Sequence, residues 1–173
     1  MGCVHIYCGD GKGKTTAATG LAVRAAGRDK RVLIARFLKT DDSGEVISLS
    51  QMKPITVLPC TRAFGFYSRM SEVQKQEAAG YYQELFNMAW DRAVEEDYDM
   101  LILDEIMAAC NYHLVPEEWL VERLQARPET LETVLTGRDP SERLLELADY
   151  VSEIQMRKHP FTEGVMAREG IEY

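Results

Sequence analysis

Histidine and cysteine are scarce in this chain, at three and four of 173 residues. Cys3, Cys8, Cys60 and Cys110 show no paired metal-ligand spacing, and His5 has no partner His or Cys at a suitable separation. That argues against a structural metal site or a disulfide framework. The thiols read as small apolar packing groups in a reducing compartment, Cys8 included, although it borders a glycine-rich loop. Long apolar runs are also missing. Nothing approaches membrane-spanning length and no signal peptide precedes the first apolar segment, so no membrane partner and a cytoplasmic location are expected. A basic balance is lacking too: the net charge is −8, which argues against a broad nucleic-acid surface. No repeat, low-complexity stretch or linker interrupts the chain, and its length suits a single domain over residues 1–173.

What is present centres on Gly9-Asp10-Gly11-Lys12-Gly13-Lys14-Thr15-Thr16. It lies between an apolar run, Val4 to Cys8, and a helical pattern reaching Ala26. A strand, a glycine-rich turn and a helix start form the setting of a phosphate-binding loop. Glycines let backbone N–H groups close on phosphate oxygens, and the helix N-terminus adds partial positive charge. Lys14 suits an outer phosphate and the Thr15 hydroxyl suits Mg²⁺. The usual spacing would need glycine at Cys8, so the loop reads one residue short. A dinucleotide fingerprint fails, because Lys14 stands at its third glycine. Lys12 and Lys14 supply focused positive charge for an anionic substrate. Arg36, Lys39 and Arg138 are further candidates, with solvated surface charge as the alternative.

Downstream, Arg31 to Leu38 and Ile55 to Leu58 read as strands, the first nearly continuous in apolar residues, as in a strand covered on both faces. Gly27 suits a left-handed cap on the first helix. Lys39 to Gly44 reads as a loop in which Asp41 and Asp42 form a solvated turn rather than an acid/base pair. Ala63-Phe64-Gly65-Phe66-Tyr67 is a second loop. Its aromatics either line a flat hydrophobic ligand site or anchor the loop to the core. Ser71 with Gln74 fits a capping box opening a helix to Glu95, with Val73, Ala78, Tyr82, Leu85, Ala89 and Ala93 on its apolar face. Met100 to Leu103 is an apolar strand ending in Asp104-Glu105. Beside a phosphate loop, one such carboxylate can hold Mg²⁺ and the other can orient water or substrate. Pro116 to Ala126 is a helix with proline in its first turn, Thr133 to Thr136 a strand, and Asp139 the cap of a further helix. Asp149 to Ile154 reads as the last strand. Alternating strands and helices predict an α/β fold, a mostly parallel sheet covered on both faces, with ligand beyond the strands' carboxyl ends.

With these segments in hand, the chain resembles the ATP:corrinoid adenosyltransferases, the cob(I)alamin or cob(I)yrinic acid a,c-diamide branch built on a phosphate-loop fold. The short-spaced loop, Leu135-Thr136-Gly137-Arg138, Ala148-Asp149 through Val151-Ser152-Glu153, Lys158-His159-Pro160-Phe161 and Gly170-Ile171-Glu172-Tyr173 carry the likeness. The resemblance implies a three-layer, P-loop NTPase fold of the RecA type. It implies attack of corrinoid Co(I) on the 5′ carbon of ATP, with inorganic triphosphate leaving and ATP reversed along the loop. Lys14, Glu105 and Phe66 are then the catalytic candidates. Gly9, Asp10, Gly11, Lys12, Gly13, Lys14, Thr15, Thr16, Lys39 and Arg138 are the nucleotide-binding ones. Thr15, Glu105 and Asp104 are the ligands of Mg²⁺ or Mn²⁺. Phe66, after Gly65, would exclude water and the corrinoid's lower base from cobalt; Ser68 stands where the family pattern has Trp. The implied partners are ATP, a corrinoid, a flavoprotein or other electron donor, and a second copy in a homodimer. Some relatives carry an extension before the first strand. This chain begins almost at that strand, which implies a more open site or one covered by the C-terminal tail or a partner subunit. The competing reading is a phosphate-loop kinase or NTPase acting at the γ-phosphate.

Overall fold

A computed structural model describes residues 1–172 of the chain. Tyr173, part of the C-terminal motif, lies outside the described residues. Six strands alternate with helices: β1 (Val4–Cys8), α1 (Lys14–Ala26), β2 (Val32–Arg36), α2 (Gly44–Leu49), β3 (Ile55–Val57), α3 (Glu72–Glu95), β4 (Met100–Asp104), α4 (Ile106–Asn111), α5 (Glu117–Gln125), β5 (Glu132–Thr136), α6 (Glu142–Leu147) and β6 (Tyr150–Glu153). Single 3₁₀ turns stand at Tyr67–Arg69 and Pro160–Glu163. Among the described residues every strand pairing is parallel, in the order β3-β2-β4-β5-β1-β6. The phosphate-loop strand β1 and the acidic strand β4 thus flank β5, as expected of the RecA-type arrangement.

The two sheet faces are built by strand alternation. Val32 and Ile34 of β2, with Met100 and Ile102 of β4, pack on Ala18, Ala22 and Ala26 of α1 and Leu49 of α2. Leu33, Ala35, Leu101 and Leu103 point the other way, into a larger cluster with Phe86, Trp90, Leu120, Leu124 and Leu144 from α3, α5 and α6. Asp104 continues the first of these alternations, which sends its carboxylate toward α1.

Element ends differ from the sequence reading in instructive ways. The Ser71–Gln74 capping box of α3 is present, an arrangement worth about 1 kcal/mol. Val73, expected on its apolar face, is 65% exposed. It precedes Ala78 by five positions, about 140° round the helix, so it faces away from the buried stripe. Phe86 and Trp90 widen that stripe instead. Gly27 is right-handed, and the left-handed residue is Asp29 (φ 57°), because α1 unwinds two residues further on. The cap of α6 is Ser141, whose Oγ accepts from Leu144 N–H, while Asp139 (φ 51°) sits in a left-handed turn that an N-cap cannot use. Pro116 caps α5 rather than sitting inside its first turn. β2 stops at Arg36, since Leu38 at φ 56° leaves the extended region. The short helices α2 and α4 were not expected.

Candidate functional site

The carboxyl ends of β1, β2, β4 and β5 open on a cleft of about 980 Å³. β1 delivers the glycine-rich loop directly into it. Gly9 has φ +98°, and a Cβ there would lie 2.4 Å from Ile154 O, so only glycine fits. Gly13, at φ +126°, turns the chain into α1. The first helical bond is Ala17 N–H to Gly13 O at 2.8 Å. The amides of Lys14, Thr15 and Thr16 therefore precede the helix ladder, free for an anion. Gly11 N–H is not free: it donates to Ile154 O at 2.7 Å, just past β6.

Lys14 is curled into the loop, donating from Nζ to Gly9 O at 2.8 Å and Gly11 O at 2.9 Å. Burial holds its ammonium below the ordinary lysine value, and nearby Glu105 opposes that shift. Beneath it, Asp104 is 2% exposed. Thr15 Oγ1 donates to Asp104 Oδ1 at 3.0 Å, and Thr136 Oγ1 donates to the same oxygen at 2.6 Å. Lys39 Nζ donates to Thr15 Oγ1 at 2.7 Å and pairs with Asp104 Oδ2. Glu105 N–H donates to Thr136 Oγ1 at 2.8 Å. Glu105 itself is left-handed at φ 60°, a strained conformation for glutamate that persists only where its surroundings enforce it. Burial, then the neighbouring Asp104, raise its carboxyl above the usual range; Lys39, Lys14 and Arg138 oppose them. Arg138 enters from the end of β5, with Nη2 3.4 Å from Asp10 O.

Asp10, Gly11, Lys12, Gly13, Lys14, Thr15, Thr16, Lys39, Glu105 and Arg138 all line the cleft. Gly9 and Asp104 support it from below. The C-terminal tail forms its far wall. Met156 N–H donates to Asp10 Oδ1 at 2.9 Å, and His159, Phe161, Ile171 and Glu172 face the cavity.

Two residues stand elsewhere. Phe66 does not line this cleft; it is 73% exposed on the loop after Gly65 (φ +73°), with the Arg69 guanidinium 5.5 Å from its ring centre. Its neighbours are anchors. Phe64 packs on Tyr81 and Tyr82 at 5.7 and 5.8 Å, and Tyr67 stacks on Tyr112 at 4.4 Å. The loop thus contains both anchoring rings and one free ring. Arg36, a candidate for anion binding, is 2% exposed and faces away from the cleft toward Ser43, Cys60 and Asp41. Asp41 is exposed and in a turn, as expected, and is also an anchor: it pairs with Arg36, and its second oxygen accepts from Cys60 N–H at 2.8 Å.

Thr136 was quoted from the sequence only within Leu135-Thr136-Gly137-Arg138, with no site role, and the cleft-lining Thr19, Glu45 and Ser48 were not singled out. A threonine closing the apolar run of β5 was a usable signal. The α2 residues offered none. As a metal site, Thr15, Asp104 and Glu105 present hard oxygen donors, which suit Mg²⁺ or Mn²⁺. Among the described residues no three His, Cys, Asp or Glu side chains gather to hold a metal alone. A cation here must share its coordination with ligand oxygens and water.

Known proteins resemble this chain along its whole length. The model of the family "ATP:corrinoid adenosyltransferase BtuR/CobO/CobP" matches residues 1–173. The chain is 36% identical to a corrinoid adenosyltransferase of Escherichia coli (strain K12) over 173 residues, covering 99% of this chain and 86% of that protein. It is 34% identical to the corrinoid adenosyltransferase CobA of Salmonella typhimurium (strain LT2), with the same coverage. A corrinoid adenosyltransferase of Pseudomonas aeruginosa is 28% identical over 176 residues, 99% of this chain and 84% of that one. Among solved structures, the cytoplasmic domain of EssC superposes with a TM-score of 0.51 at 11% identity, over 96% of this chain and 35% of that one. That likeness concerns the fold alone. No helix among the described residues is long and apolar enough to cross a membrane.

Proposed function

The chain belongs to the ATP:corrinoid adenosyltransferase family, and from that membership we propose which of its residues perform the transfer. The reaction moves the 5′-deoxyadenosyl group of ATP to the Co(I) centre of a reduced corrinoid and releases triphosphate. The observation that carries the residue assignment is one convergence. Lys12, Lys14, Lys39 and Arg138 meet the α1 N-terminus, Thr15, Asp104 and Glu105 at a single cleft.

The main physical task there is to accept the charge that grows on departing triphosphate. Lys14 performs it by exchanging its two loop carbonyls for phosphate oxygens. The amides of Lys14, Thr15 and Thr16 and the side chains of Lys12 and Arg138 complete the cradle. Donors fixed before the reaction are worth on the order of 3 kcal/mol each to the transition state. Thr15 and Asp104, with Glu105, hold Mg²⁺ or Mn²⁺, which neutralises triphosphate charge when bound. No general base is required, since the nucleophile is a metal centre. Phe66 supplies an exposed apolar ring on the loop after Gly65, suited to keep axial ligands from cobalt and so ease reduction of Co(II). A flavoprotein or other reductant, a homodimeric assembly and a cytoplasmic setting belong to the same reading.

Product analysis tests it. With ATP, Mg²⁺ and a chemically reduced corrinoid, adenosylated corrinoid and inorganic triphosphate are expected in equal amounts. ADP and phosphate would overturn the reading and move the chemistry to the γ-phosphate.

A further inference from the structure

Thr15 and Asp104 already hold a cation, and it comes from the chain. The Lys39 ammonium donates to Thr15 Oγ1 at 2.7 Å and is paired with Asp104 Oδ2. The other carboxylate oxygen accepts from Thr15 at 3.0 Å and from Thr136 at 2.6 Å. Both oxygens of this buried carboxylate are therefore satisfied, and its charge is balanced without a metal. The backbone favours the same arrangement. Leu38, immediately before Lys39, is held at φ 56°, a strained position for a bulky side chain. The turn it makes is where the chain leaves β2 and the lysine reaches back to the first turn of α1.

A divalent ion on Thr15 and Asp104 would be within a few ångströms of this ammonium, so the two cations exclude one another. Mg²⁺ gives up water reluctantly, and a hydroxyl with two carboxylates, one of them already paired with Lys39, offers it little in return. A triphosphate changes both sides of the exchange. It brings the ion further oxygen ligands and gives the displaced ammonium a new anionic partner. We propose that Lys39 is a surrogate cation: it occupies the metal position in the nucleotide-free enzyme and yields it only to a divalent ion arriving with triphosphate. Metal and nucleotide are thereby coupled more strongly than shared ligation alone would couple them. The proposal rests on the assignment of Thr15 and Asp104 to the metal.

The test uses the full chain and Mn²⁺ as probe, with free ion measured by paramagnetic resonance. Without nucleotide, the parent should bind Mn²⁺ only weakly, and Lys39→Met should bind it at least about tenfold more tightly, a coupling of ordinary size. Lys39→Arg, which keeps the charge, should stay as weak as the parent. Thr15→Val in the Lys39→Met background should abolish the gain. Circular dichroism checks that each variant is folded, and Lys39→Gln replaces the Met variant if that one is not. Equal nucleotide-free affinity in parent and folded neutral variant would overturn the proposal. So would micromolar Mn²⁺ binding by the nucleotide-free parent, whatever the variants do. The underlying metal assignment has its own control, Mn²⁺ binding in the presence of ATP but no corrinoid. If Thr15→Val weakens that binding while Lys39→Met leaves nucleotide-free affinity unchanged, only the surrogate role falls. If Thr15→Val leaves it unaltered, the metal assignment falls and takes the surrogate role with it.

Discussion

The rim of the cleft and the aromatic loop around Gly65 are built in opposite ways, and the proposed roles ask different things of them. At the rim, Asp104 is 2% exposed and held by Thr15, Thr136 and Lys39, and strained or glycine-only conformations cluster at Gly9, Gly13, Leu38, Glu105 and Gly137. In the loop, Gly65 has nothing within 4 Å of where a Cβ would stand, and Phe66 is 73% exposed between the anchored rings of Phe64 and Tyr67. Stabilising developing charge demands groups fixed in advance, because reorganising them during the reaction would forfeit their benefit. Offering an apolar wall demands only a ring held in place at its flanks. The rim therefore gathers several such conformations and buried polarity, while the loop has one left-handed glycine and no buried polar side chain.

The comparison breaks most severely at Lys14. Lys14→Ala should lower turnover at saturating ATP and Mg²⁺ by a hundredfold or more, corresponding to about 3 kcal/mol. Thermal unfolding should show a protein still folded, since water can reach the vacated carbonyls. Unchanged turnover would remove Lys14 from the leaving-group site.

Glu105→Gln sharpens the contrast by separating stability from function. The carboxyl of Glu105 is raised by burial and by Asp104, so the folded protein binds its proton more tightly than the unfolded chain does. Stability from this group is present at low pH and lost as pH rises from the ordinary carboxylate value through the raised one. In the metal-free, nucleotide-free state, Glu105→Gln should therefore unfold at a higher temperature than the parent at neutral pH, with the gap closing on acidification. The same variant should need more Mg²⁺ for half-maximal rate, with corrinoid affinity little changed. Equal stability at neutral pH would mean that the carboxylate is not under the strain its surroundings imply. An unaltered Mg²⁺ requirement would shift the metal to Asp104 and Thr15 alone.

The smallest change in stability belongs to the loop. Phe66→Ala should alter unfolding by no more than about 0.5 kcal/mol, as at other exposed positions. Phe64→Ala, which removes a packed ring, should lose a measurable part of the about 3–5 kcal/mol of a fully buried phenylalanine. Activity should follow the other order. Phe66→Ala should be impaired when a weak reductant must generate Co(I) on the enzyme, and should recover when preformed Co(I) is supplied. Equal loss under both conditions would overturn its role at cobalt.

The gathering of the rim residues was legible in sequence because they sit in unbroken local patterns. Gly9 to Thr16 and Met100 to Glu105 each place their functional groups at the end of one apolar strand, where parallel topology must bring strand ends together. What escaped was non-local. Asp41 is the turn residue it looks like, but its pattern does not disclose that Arg36 of β2 and Cys60, beyond β3, meet it there. Helix α2 spans six residues and buries only Leu49, too little for an apolar period to appear. Ser141 rather than Asp139 caps α6 because Asn111, far away in sequence, donates to Arg138 O and Asp139 O and holds that turn. The tail wall was half legible: β6 ends within a residue of its expected end, and cover by the tail was one of the two alternatives that the resemblance implied.

The pairing of β1 has a consequence in time. Its two neighbours, β5 and β6, both lie more than a hundred residues downstream, with Val4 opposite Thr133 and His5 opposite Tyr150. On the ribosome, the strand bearing the phosphate loop emerges before every partner it needs, and the backbone acceptor for Gly11 arrives only with Ile154. A segment made before its partners is thus among the last to be fixed. Such distant contacts place this protein among slower folders, and a nascent chain halted before β6 carries the complete nucleotide motif without a finished nucleotide site.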